Sequence, residues 1–143
     1  MVRLAFLAAV CLLTAGLLLG VANSQQDLPQ FKLSNEACQQ PVVRKELRNL
    51  TSDERRRFLD ALNEMHSRGW FDAFARLHDT AAHGIHGNDL FLVWHRAFIR
   101  HFEVALQAID PGLTLPYWNW GIDANNPEST EILGPNWLGG NGR

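Results

Sequence analysis

Leu90-Phe91-Leu92-Val93-Trp94-His95-Arg96-Ala97-Phe98-Ile99-Arg100-His101-Phe102-Glu103-Val104-Ala105-Leu106 is the run whose periodicity decides the architecture. Leu92, His95, Ile99, Phe102 and Leu106 recur at three- and four-residue intervals, the spacing of one helix face. The pattern predicts a helix over Leu90–Ile109 with that set as its inward stripe, stopped by Asp110-Pro111-Gly112. Arg96 and Glu103, seven apart, share a second face, either as parts of a buried polar network or as an exposed pair of little energetic value.

Working upstream, Phe71, Phe74, Ala75 and His78 fall at i, i+3, i+4 and i+7. They predict a short helix over about Phe71–Asp79 that carries His78 on its buried face, followed by a loop over Thr80–Asp89 holding His83, Gly84, His86 and Gly87. Before it, Thr51-Ser52-Asp53-Glu54 reads as a capping box, in which Thr51 Oγ1 accepts from the Glu54 amide and the Glu54 carboxylate reaches back to the Thr51 amide. Phe58, Leu59, Leu62 and Met65 continue at helical spacing, so a first helix is expected over Ser52–Ser67, ending near Gly69. Downstream, Leu115-Pro116-Tyr117-Trp118-Asn119-Trp120 is too aromatic for a plain surface loop and is expected to pack across the helices, with Trp94, Trp118 and Trp120 as core aromatics. Beyond Gly121 the chain is loop-like, and no stretch alternates convincingly at strand period. The fold class is mainly α with long loops.

The chain of 143 residues allows one domain at most. With 46% hydrophobic and 20% charged residues it is globular rather than disordered. A net charge of -2 without a basic stripe argues against a nucleic-acid partner. Arg3, an apolar run over Leu4–Ala22 and the small residues of Ala22-Asn23-Ser24 predict a cleaved signal peptide over residues 1–24, rather than a stable membrane anchor, and hence a secreted, extracellular protein. Residues 25–42, with Pro29 and Pro41, are expected to form an extended N-terminal arm, and residues 43–143 the folded domain. Cleavage would leave Cys38 as a single cysteine, whose disulfide partner is expected outside this sequence. Asn49-Leu50-Thr51 is an N-glycosylation sequon.

Of the histidines, His78 and His95 lie on the apolar faces of two helices, and His86 or His83 lies in the loop between them. Two readings stand: hydrogen-bonded core histidines, or three imidazoles aimed at a transition metal, for which spacing alone does not select copper over zinc, iron or nickel. His66, near the end of the first helix, suits the helix dipole and a structural role. His101 is expected on the surface.

Phe91-Leu92-Val93-Trp94-His95-Arg96-Ala97-Phe98, followed by Phe102-Glu103, closely resembles the copper-A signature of the tyrosinase family, roughly F-L-P-W-H-R and then F-E. His86, nine residues before His95, stands at the family's interval between its second and third ligands; His83, twelve before, fits less well. His78, in Arg76-Leu77-His78-Asp79, matches the first ligand. Val43 to Arg55, Leu115 to Trp120 and Leu138-Gly139-Gly140-Asn141-Gly142 resemble further family segments in the same order, so the likeness covers about residues 40 to 142. Val93 stands where the family has proline and Asn119 where it has aspartate, and no cysteine lies near His86 for the thioether crosslink of some members.

The resemblance implies a partial antiparallel helix bundle of the tyrosinase and hemocyanin type, with His78, His86 and His95 as ligands of one copper. It also implies a copper-binding oxidoreductase that oxidises phenols and o-diphenols to o-quinones with dioxygen, the phenol and O2 being its partners. The complete family site holds two coppers. The second set of three histidines, the copper-B half, does not occur in this sequence, so one copper, an inactive chain on its own, and either a missing C-terminal half or self-association are expected. The alternatives are hemocyanin-like oxygen binding, or a non-catalytic secreted copper-binding fragment.

Overall fold

The computed structural model describes residues 28–29 and 41–139. The expected signal peptide, Cys38, most of the expected arm and residues 140–143 lie outside the described residues. No described helix is long and apolar enough to cross a membrane. The architecture is three packed helices, α1 (Ser52–Ser67), α2 (Trp70–Ile85) and α3 (Leu90–Ile109), preceded by one short 3-10 turn and followed by two. Each helix packs on the other two. The described residues contain no strand, only an isolated bridge between Glu46 and Tyr117.

Helix α1 begins on the expected capping box, with Glu54 N–H donating to Thr51 Oγ1 at 3.2 Å and Thr51 N–H to Glu54 Oε2 at 2.8 Å. It ends at Gly69, whose left-handed φ of 70° lets its amide turn back to the His66 carbonyl at 2.9 Å while its own carbonyl starts α2. Helix α2 is longer than the expected Phe71–Asp79, and the expected loop over Thr80–Asp89 shrinks to His86–Asp89. Thr80-Ala81-Ala82 is compatible with a helix, which runs through Gly84, at a cost of about 1 kcal/mol, to a buried Ile85. Gly87, at φ 74°, then supplies the left-handed residue of the turn into α3.

The inward stripe of α3 differs from expectation. Leu92 is 76% exposed and Ile99 is exposed, whereas Trp94, Phe98, His101, Phe102 and Ala105 line the packed face. Periodicity fixes a helix, not its rotation, when apolar residues surround it; the facing aromatics of α2 choose. Phe74 meets Phe98 edge-on at 5.6 Å, Phe102 at 5.0 Å and His101 at 5.2 Å. His101 is therefore half-buried rather than a surface residue, and its Nε2 lies 2.9 Å from the carbonyl of Pro29, to which it donates. Below this ladder the core is closed by Met65, Leu106 and Ile132, all fully buried.

Residues 44–48 and 113–131 strap the far end. Leu47 N–H donates to Tyr117 O and Tyr117 N–H to Lys45 O, both at 2.9 Å. Leu115 and Trp118 pack on the core as expected, but Tyr117 and Trp120 are exposed, so Trp120 is not a core aromatic. Arg48 joins Glu46, Asp123 and Thr130, and Trp118 donates its indole N–H to Asp123 at 2.7 Å. Glu103 is a buried hub: Arg44 grips both oxygens at 3.0 and 2.8 Å, Arg100 donates at 2.8 Å, and Leu115 N–H at 2.9 Å. Arg96, proposed as its companion, is exposed and takes no part. Burial pushes the Glu103 carboxyl up, but the Arg44, Leu115 and Arg100 donors outweigh it and hold the group at about 2.

Candidate metal centre

The corner between α2 and α3 brings three imidazoles together. His78 comes from the middle of α2, His86 caps its C-terminus, and His95 comes from the second turn of α3. One nitrogen from each lies within 4.8 Å of the other two, and among the described residues this is the one group of histidine, cysteine or carboxylate side chains with such spacing. His83 is exposed on α2 and lies outside the group; His66 on α1, beside Phe71, and His101 on α3 lie outside it too.

The separation of His78 Nε2 and His95 Nε2 is 3.3 Å. Imidazole nitrogens sit about 2.0–2.1 Å from a first-row ion, which places two ligands of a tetrahedral site roughly 3.3–3.4 Å apart. The pair therefore has the spacing of two ligands of one ion, and the third nitrogen is close enough to join them. His95 Nδ1 lies 2.8 Å from the carbonyl of Phe91, one turn back in α3. A carbonyl only accepts, so Nδ1 carries the proton and Nε2 presents its lone pair inward, the usual outer-sphere device of a metal-binding histidine. The donor set, three imidazoles and no carboxylate, fits copper.

Aromatic rings wall the group. Phe91 lies 4.3 Å from His95, Trp94 and Phe98 stack at 5.0 Å, and both flank His78 at 5.8 and 5.7 Å. His78 and His95 are half-buried while His86 is exposed, so the cluster opens on one side. Leu90, Leu92 and Val93, in the first turn of α3, are exposed. Two contacts around the group are not among those expected from the sequence, the bond from His95 to the Phe91 carbonyl and the bonds of Asn88 in the α2–α3 turn. Asn88 donates to Gly84 O at 3.0 Å and accepts from Leu90 N–H at 2.9 Å. Its place between a turn glycine and a helix start was the available signal.

Comparisons with known proteins identify relatives of the chain. Residues 68–143 match the family model of the common central domain of tyrosinase. The chain is 40% identical over 110 residues to a tyrosinase of Streptomyces antibioticus, covering 71% of this chain and 40% of that protein. It is 39% identical over 112 residues to grixazone synthase of Streptomyces griseus, covering 71% of this chain and 36% of that protein. A tyrosinase-like protein of Caenorhabditis elegans is 39% identical over 94 residues, 64% of this chain and 14% of that protein. The chain thus spans 40% or less of the length of these curated relatives.

Proposed function

The chain belongs to the tyrosinase family, and on that footing we propose that His78, His86 and His95 hold one copper ion as half of a two-copper site that oxidises phenols or o-diphenols with O2. The observation that carries this reading is the convergence of three imidazole nitrogens within 4.8 Å of one another at the α2–α3 corner. Copper bound there supplies the redox chemistry toward dioxygen and the phenol. The chain's own work is geometric. The two helices hold His78 and His95, the Phe91 carbonyl selects the tautomer of His95, and Phe91, Trp94 and Phe98 keep water from one side of the ligands. No side chain of the group is placed as an acid or base.

Competition of the purified chain against a Cu(I) chelator tests the assignment. We expect one copper per chain, with affinity reduced at least about hundredfold in His78→Ala and His95→Ala. Binding of two coppers, or full affinity in both variants, would exclude it. His66, His83 and His101 gather into no second metal-ligating group among the described residues, so the chain on its own is expected to bind one copper yet leave catechol unoxidised. Export through the leader over residues 1–24, with a glycan at Asn49, belongs to the same proposal. Asn49 is exposed in the turn before α1, which suits it. Unshifted mobility after glycosidase treatment of the secreted product would remove the glycan. The exposed Leu90, Leu92 and Val93 support self-association of this chain on its own; a monomer in sedimentation velocity at micromolar concentration would contradict that.

A further inference from the structure

Of the three clustered imidazoles, His86 is held least. His95 is oriented by the Phe91 carbonyl, and His78 is wedged between the rings of Trp94 and Phe98. The His86 ring is exposed and makes no side-chain hydrogen bond among the described residues beyond its ring contacts with His78, Phe91 and His95. Its direction therefore depends on its backbone. That backbone is the C-cap of α2, followed at once by a left-handed glycine, the conformation with the most freedom to swing.

One side chain closes this segment from both ends. Asn88 Nδ2 donates to the Gly84 carbonyl in the last turn of α2, forming a ring that encloses residues 84–88. Its Oδ1 accepts from Leu90 N–H, the first residue of α3, and its carbonyl accepts from Phe91 N–H at 3.2 Å. Asn88 thus ties the end of the helix carrying His78 to the start of the helix carrying His95, with His86 in between. We propose that Asn88 is the positioning residue that aims His86 at the metal. The inference rests on the metal reading above but assigns a role to a residue that supplies no ligand atom.

The test compares Asn88→Ala and Asn88→Ser with the unaltered chain and with His86→Ala, using copper alone as the probe. Serine can keep the bond to Leu90 N–H, so it preserves the start of α3, but it is too short to reach Gly84. Loss of an outer positioning group commonly lowers metal affinity by about 10–100-fold. We expect about a tenfold weaker Cu(I) affinity in both variants, and a Cu(II) electron paramagnetic resonance spectrum shifted toward that of His86→Ala. Helix content by circular dichroism should match the unaltered chain in Asn88→Ser. A merely structural Asn88 would lower the melting temperature of Asn88→Ala while leaving the affinity and spectrum of Asn88→Ser unchanged, and that result overturns the proposal. If the unaltered chain itself fails to bind copper, the metal reading falls first and this one with it.

Discussion

The two ends of this helical unit are built on opposite principles. At the strap end, Glu103, Arg44, Arg48 and Asp123 form cross-chain hydrogen bonds that lock segments distant in sequence. At the α2–α3 corner the three histidines are held mainly by ring packing, one backbone carbonyl and one asparagine, with apolar residues exposed beside them. The contrast teaches where each task is done. Order is secured at a distance from the imidazoles, so the corner leaves them facing one another and open on one side. Polar partners that would satisfy those nitrogens within the protein would compete with a metal.

Phe74 is where the two ends meet, and its removal should blur them most. Phe74→Ala empties the space between Phe98, Phe102 and His101, and should cost about 4 kcal/mol in a denaturant titration. A loss under about 1 kcal/mol would mean the two ends are stabilised independently. Glu103→Ala should come next, at about 2–3 kcal/mol, because it removes the acceptor of the Leu115 amide and the charge-assisted bonds that tie Arg44 and Arg100 to α3. Its copper affinity should stay within about threefold of the unaltered chain if the ends are separable.

Acid sharpens the same distinction. The folded Glu103 carboxyl lies at about 2 against an ordinary 4.5, so its stabilisation is complete above about pH 5 and is lost as pH falls toward 2. The loss is on the order of 2–3 kcal/mol. Glu54, also held at about 2 by Lys45 and the Thr51 amide, titrates in the same window, so the difference between the unaltered chain and Glu103→Ala isolates the Glu103 share. Parallel pH curves for the two proteins would remove Glu103 from the account. The smallest effect is expected at Trp120→Ala, within about 0.5 kcal/mol, since this residue is 71% exposed. A larger loss would extend the locked end outward.

Local chemistry made much of this readable. The capping box gives α1 its first residue, and Asp110-Pro111-Gly112 gives α3 its last. His78 and His95 could be placed on helices by spacing, and the family likeness preferred His86 to His83, which is also how the rings are arranged. What stayed hidden has physical causes. Gly84 and two histidines imitate a loop, yet α2 runs through Gly84 and ends on a buried Ile85. The rotation of α3 depends on rings from α2, so periodicity points Leu92 inward whereas the fold leaves it 76% exposed. The partners of Glu103 could not be read from its own helix, because Arg44 lies 59 residues away along the chain.

The pairing of Lys45 and Leu47 with Tyr117 joins chain segments that flank all three helices. Contacts among α1, α2 and α3 are comparatively local and can form early, whereas closing this long loop must wait for entropy to be repaid by the rest. Tyr117→Pro, which removes the N–H donated to Lys45 O, should accelerate unfolding and leave the folding rate nearly unchanged in stopped-flow kinetics.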